Sequence, residues 1–120
     1  MNVLVVEDHK IVRDLLCTLL ATEQDVEVVT GAENGQQALQ LLNNGLQADV
    51  VVTDINMPVM NGLELTRKLT MLRPDIEVII LTYVPKSVAC KSALAAGAKH
   101  CLSKDGGLDE LLAALRSVHA

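Results

Sequence analysis

The side chains of this 120-residue sequence that could do chemistry together are Glu7, Asp8, Asp54, Thr82, Ser103 and Lys104. Each stands at the end of a short apolar run. Glu7 and Asp8 follow "NVLVV" (2 to 6), Asp54 follows "DVVVT" (49 to 53), Thr82 closes "IEVIILT" (76 to 82), and Ser103 and Lys104 end a run near 99 to 103. If these runs lie side by side, three carboxylates, two hydroxyls and an ammonium meet at one rim. Two carboxylates about 5 Å apart repel by roughly 3 kcal/mol at an effective dielectric of about 20, and a third adds to the repulsion. Such a cluster calls for a cation. Hard oxygen donors with no His or Cys among them select Mg²⁺, with Mn²⁺ as a substitute. A carboxylate beside such an ion can attack a phosphoryl group to form an acyl phosphate, while Lys104 helps neutralise the transferring oxygens.

The elements that must position these groups alternate in period. After the first strand, Ile11, Val12, Leu15, Leu16, Leu19 and Leu20 fall on one helical stripe. "VEVVT" (26 to 30) reads as the second strand and "NGQQALQLLNNG" (34 to 45) as a helix closed by glycine. The third strand leads to a helix near 62 to 72, with Leu63, Leu65, Leu69 and Leu72 largely inward, ended by Arg73-Pro74-Asp75. The fourth strand precedes an Ala-rich helix near 86 to 96, and the fifth precedes a helix carrying Leu108, Leu111, Leu112, Leu115 and Val118.

Five strands alternating with five helices predict an α/β fold, a doubly wound five-stranded parallel sheet with right-handed crossovers. Ligands of such sheets bind beyond the carboxyl ends of the strands, where the strand order reverses. The second strand ends only in Thr30-Gly31 and suits an edge. The order 2-1-3-4-5 follows, flavodoxin-like, with the switch point between the acid pair and Asp54.

Composition agrees with this frame and excludes others. Half the residues are hydrophobic, yet Tyr83 is the single aromatic, so the core must be aliphatic. Fifteen acids against ten bases give a net charge of −5, the wrong sign for gripping nucleic-acid phosphates directly. Cys17, Cys90 and Cys101 lack metal-ligand spacing and read as separate small buried hydrophobes in a reducing cytosol, without a disulfide. His9, His100 and His119 have no ligand-like spacing either. No segment resembles a signal peptide or membrane span, so a cytoplasmic location is expected.

The motifs together resemble the receiver domains of two-component response regulators, over essentially the whole chain. "VLVVEDH" (3 to 9) is similar to the acid-pair motif, "DVVVTDINMPVMNG" (49 to 62) to the phosphoacceptor motif, "VIILT" (78 to 82) to the strand with the switch hydroxyl, and "GAKHCLSK" (97 to 104) to the approach to the lysine. The resemblance implies one receiver domain over 1–120, with any C-terminal output domain lying outside it. It implies that Asp54 takes a phosphoryl group from a histidine kinase. Glu7, Asp8, Asp54 and the Asn56 backbone carbonyl would hold Mg²⁺, and Thr82 and Lys104 would contact the phosphoryl group. Such a domain catalyses its own phosphorylation and dephosphorylation without being a turnover enzyme. It would switch between states that control an output or a homodimer. "VVEDHKIVRDLL" and Asp105 after the lysine are similar to the NarL/FixJ type, which reaches DNA through a helix-turn-helix domain.

Each residue also has a plainer reading. Glu7 and Asp8 could cap the first helix, and Asp54 could be an ordinary turn carboxylate before Pro58. A stand-alone receiver or an unphosphorylated pseudo-receiver serving as an interaction module is the rival function. The sequence also departs from the family. Cys101 replaces the aromatic residue common three before the lysine, so no ring can swing there. Tyr83 follows Thr82, where small residues are usual, and is expected to screen the phosphoryl group from water and take over some switching motion. Thr82, Tyr83 and Cys101 are therefore the switch candidates.

Overall fold

The computed structural model describes residues 1–119. Its elements alternate as β1 (Asn2–Val6), α1 (Lys10–Ala21), β2 (Val28–Ala32), α2 (Gly35–Asn43), β3 (Val50–Thr53), α3 (Gly62–Leu72), β4 (Glu77–Thr82), α4 (Val88–Ala96), β5 (His100–Ser103) and α5 (Leu108–Val118). All four strand pairings are parallel, in the order β2-β1-β3-β4-β5. The expected fold class and strand order are both found.

β-branched and Leu side chains alternate across the sheet and divide the core in two. Leu4, Val6, Val51, Val78 and Ile80 point to the face covered by α2, α3 and α4. Val3, Val5, Val50, Val52, Ile79 and Leu81 point to the face covered by α1 and α5. Burying each such side chain contributes roughly 1.5–3 kcal/mol, so a one-residue register slip, which exchanges the two sets, is strongly opposed. Register then fixes the rim: Val6 lies opposite Thr53, and Thr82 opposite Ser103. The residues that follow these positions emerge together.

Several expectations need correction. β2 starts two residues later than "VEVVT" implied, because Val26 is buried in a turn whose N–H donates to the Glu23 carbonyl. On α1 the apolar stripe is wider than the sheet beneath it. Ile11 and Leu15 are exposed, and Leu20 is the fully buried member. Leu72, at the end of α3, is exposed as well. The cysteine reading fails at two positions, where Cys90 of α4 and Cys101 of β5 are joined as a disulfide. A spacing of 11 residues carries no such signal; the packing of α4 against the sheet brings the two together. Cys17 is free and half-buried. Among the described residues, no helix is long and apolar enough to cross a membrane.

Candidate functional site

The β1 ladder runs one residue beyond its neighbours' ends. The Glu7 N–H donates to the Ala32 carbonyl at 3.0 Å, and the Asp54 N–H donates to the Val6 carbonyl at 3.1 Å. Both acids are thereby pinned to the sheet. Helix α1 starts only at Lys10, its N-cap is His9, and no side chain caps it. Glu7 and Asp8 precede that cap, which removes the helix-capping alternative. On the other side, the Lys104 N–H donates to the Thr82 carbonyl at 2.9 Å and locks the end of β5 to that of β4.

These constraints bring the expected groups together. Carboxylate oxygens of Glu7, Asp8 and Asp54 all lie within 4.8 Å of one another. Lys104 Nζ donates to both Glu7 oxygens at 3.1 Å and pairs with Asp54 Oδ2 at 3.1 Å. The other Asp54 oxygen accepts from the Ile55 N–H at 2.7 Å. Glu7 and Asp54 are buried, whereas Asp8 is open to solvent. Burial pushes the Glu7 carboxyl above its ordinary value, with Asp54 and Asp8 adding repulsion and Lys104 opposing both. For Lys104, burial alone would favour the neutral amine. Hydrogen bonds to Asp54 and Glu7 outweigh it, and the ammonium is held above its ordinary value.

Thr82 is buried, and its Oγ1 accepts from the Val84 N–H at 3.4 Å. Tyr83 is largely exposed, with Lys104 Nζ 5.0 Å from its ring centroid, inside cation–π range. Asn56 is exposed on the loop after β3. Ser103 Oγ serves locally by accepting from the Asp105 N–H. The three histidines stay apart from the cluster: His100 meets Ser117 at 3.2 Å, and His9 and His119 are exposed.

Two supporting residues have roles that side-chain patterns alone do not specify. Arg13 Nη1 donates to the Glu7 carbonyl at 2.8 Å, an interaction without a spacing signal of its own. Gly62 allows the β3–α3 loop to fold back. A Cβ there would fall on the Asp54 carbonyl, while the Gly62 N–H donates to the Ile55 carbonyl at 2.9 Å. The Asn61-Gly62 pair carried half of this signal, since Asn61 is the N-cap of α3 and accepts from the Glu64 N–H. Within the same loop Val59 has φ 68°, a left-handed conformation that a β-branched residue adopts only when its surroundings enforce it.

The chain belongs to the response regulator receiver domain family, whose profile matches residues 3–116. It is 39% identical over 119 residues to the response regulator GacA of Pseudomonas aeruginosa, covering 99% of this chain and 55% of GacA. It spans about half the length of the curated relatives it matches. Among solved structures, it is similar to RcsB from Salmonella enterica serovar Typhimurium, bound to promoter rprA in the presence of phosphomimetic BeF3⁻. The TM-score is 0.87 with 26% identity, over 100% of this chain and 99% of that one. It is likewise similar to TrrA from Thermotoga maritima in complex with Mg²⁺–BeF, with a TM-score of 0.80 and 29% identity over 98% and 97% of the two chains.

Proposed function

We propose that Asp54 is the phosphoacceptor of this receiver domain. The observation that carries the reading is the Asp54 carboxylate at the carboxyl edge of the sheet, held by Lys104 beside the Glu7 and Asp8 carboxylates. In the reaction, an Asp54 oxygen forms a bond to phosphorus as the bond from phosphorus to the kinase histidine nitrogen breaks in line. Lys104 stays charged throughout and faces the oxygens on which charge accumulates. Thr82 turns its hydroxyl from Val84 toward the new phosphoryl oxygens. Tyr83 shields the product from water at the open side of Lys104.

The donor set fits a divalent cation. Three carboxylates and one ammonium leave two uncompensated negative charges on the rim. Carboxylate oxygens of three residues within 4.8 Å of one another are the hard donors that a divalent cation such as Mg²⁺ would take. Glu7, Asp8, Asp54 and the Asn56 carbonyl would hold Mg²⁺, or Mn²⁺ in its place. Mg²⁺ supplies charge neutralisation for the transferring phosphoryl oxygens.

The domain thus acts as a switch rather than a turnover enzyme, catalysing its own phosphorylation and hydrolysis in the cytoplasm. A sensor histidine kinase is the donor. The output is transcription through a helix-turn-helix domain beyond these residues, or phosphorylation-dependent homodimerisation. The RcsB complex with promoter and phosphomimetic supports the former. Acetyl phosphate with Mg²⁺ tests the reading. One phosphoryl adduct, labile to hydroxylamine and mapped to Asp54, is expected; a chain that stays unmodified would leave the interaction-module reading in its place.

A further inference from the structure

We propose that Cys90 and Cys101 form a reversible redox site whose disulfide restrains the switch hydroxyl of Thr82. The coupling to Thr82 function rests on the phosphoacceptor reading; the redox chemistry does not. Cys90 lies in the first turn of α4 and is fully buried, and Cys101 lies half-buried in β5 opposite Ile80. Their Cα atoms are 6.1 Å apart, within the span a disulfide accommodates. The bond matters to α4 because that helix buries only Cys90 and Ala93 completely. One of its two deepest anchors is the bridging residue itself.

A run of hydrogen bonds connects this anchor to the site. The Cys90 N–H donates to Ser87 Oγ at 3.2 Å, the Ser87 N–H donates to the Val84 carbonyl at 3.1 Å, and the Val84 N–H donates to Thr82 Oγ1 at 3.4 Å. Around it, Tyr83, Val84, Lys86 and Val88 are exposed and contribute little packing. Residues 83 to 89 are therefore held chiefly at their two ends, by Thr82 in β4 and by Cys90, which is bonded to Cys101 of β5. With the disulfide closed, α4 is fixed and Thr82 stays turned toward Val84. With it open, α4 retains Ala93 and can shift as Thr82 turns toward Asp54.

The reaction partner is a low-molecular-weight disulfide such as oxidised glutathione. The more accessible Cys101 thiolate attacks one of its sulfurs and displaces the first thiolate. The Cys90 thiolate then attacks Cys101 sulfur and displaces the second. Two protein thiols are oxidised by two electrons, the small disulfide is reduced to two thiols, and these carry away both protons. In reducing compartments such bonds are typically transient and sensing.

The test uses the 120-residue chain carrying Cys17→Ser, which leaves two thiols. After equilibration across ratios of reduced to oxidised glutathione, alkylation and mass spectrometry should show both labels lost together and both restored by dithiothreitol. Beryllofluoride binding with Mg²⁺, followed through Tyr83 fluorescence, should be weaker in the oxidised form by about fivefold or more, the lower range of allosteric coupling. A Cys101→Ser variant, changed at the half-buried position, should bind equally in both conditions. Thiols that remain alkylatable at every ratio, or oxidised and reduced forms with the same affinity, would overturn the proposal. If neither form binds beryllofluoride, the phosphoacceptor reading fails on its own. Amide exchange over residues 83 to 90 then decides the redox proposal: slower exchange in the oxidised form supports it, and equal exchange refutes it.

Discussion

Among the described residues, two ion networks tie distant parts of the chain together, one at each end of the sheet, and they differ in solvation. At the carboxyl end, Lys104 joins Glu7 and Asp54 with side chains 9%, 4% and 11% exposed. At the amino end, Arg116 of α5 joins Glu23 and Asp25, with Arg116 and Asp25 each close to half exposed. Distances are alike, 3.1 Å against 2.9 Å. Environment separates their roles. The outer network clamps α5 to the α1–β2 turn and gives up little hydration. The inner one keeps two mutually repelling carboxylates out of water, and burial holds the Glu7 carboxyl above its ordinary value even with Lys104 beside it. Buried, perturbed charge of this kind clusters at functional sites.

The sharpest way to break the contrast is at Gly62, which lets the inner network assemble without belonging to it. Gly62→Ala forces a methyl group against the Asp54 carbonyl. A loss of about 3 kcal/mol, in the range of overpacked or strained sites, is expected in urea unfolding together with loss of Mg²⁺ binding. Lys104→Met comes next. It strands two buried carboxylates and should cost about 2–4 kcal/mol in the absence of divalent cations, with much of the loss recovered in millimolar Mg²⁺. The same loss with and without Mg²⁺ would show that the carboxylates do not share a cation site.

The outer network predicts the smallest effects. Arg116→Ala should lower stability far less than Lys104→Met, and its effect should vanish in high salt while that of Lys104→Met persists, because salt screens exposed pairs but not buried ones. Its pH dependence has a definite sign. The hydrogen bond from Arg116 holds the Asp25 carboxyl below its ordinary value of 3.8. The stabilisation is therefore complete above pH 3.8 and disappears as pH falls through the depressed value. Melting curves of Arg116→Ala and the parent chain should converge in acid; a gap that widens there would refute the assignment.

The contrast also separates what the sequence discloses from what it does not. Apolar runs that end in acids, a hydroxyl and a lysine announce the inner site, because parallel strands deliver their carboxyl ends to one edge. The cluster of Glu7, Asp8, Asp54 and Lys104 was legible for that reason. β2 was harder to place, since it is an edge strand ending in Gly31-Ala32, and Val26 is buried although it lies outside the strand. Helical periodicity marked α1 correctly but could not tell which apolar residues the sheet was wide enough to cover, hence Ile11 and Leu15. Gly62 and Arg13 act through backbone carbonyls, which side-chain patterns do not reveal. The Cys90–Cys101 bond depends on packing between an element and the strand that follows it, and no spacing rule encodes that.

The central claim is that folding gathers Glu7, Asp8 and Asp54 into one divalent-cation and phosphoryl site. Amide NMR of the thiol-reduced chain titrated with Mg²⁺ tests it most directly. Saturable shifts should concentrate at residues 7, 8, 54 and 56, and Asp8→Asn should weaken binding by at least an order of magnitude. Shifts scattered over the surface, or an Asp8→Asn chain that binds as the parent does, would contradict it.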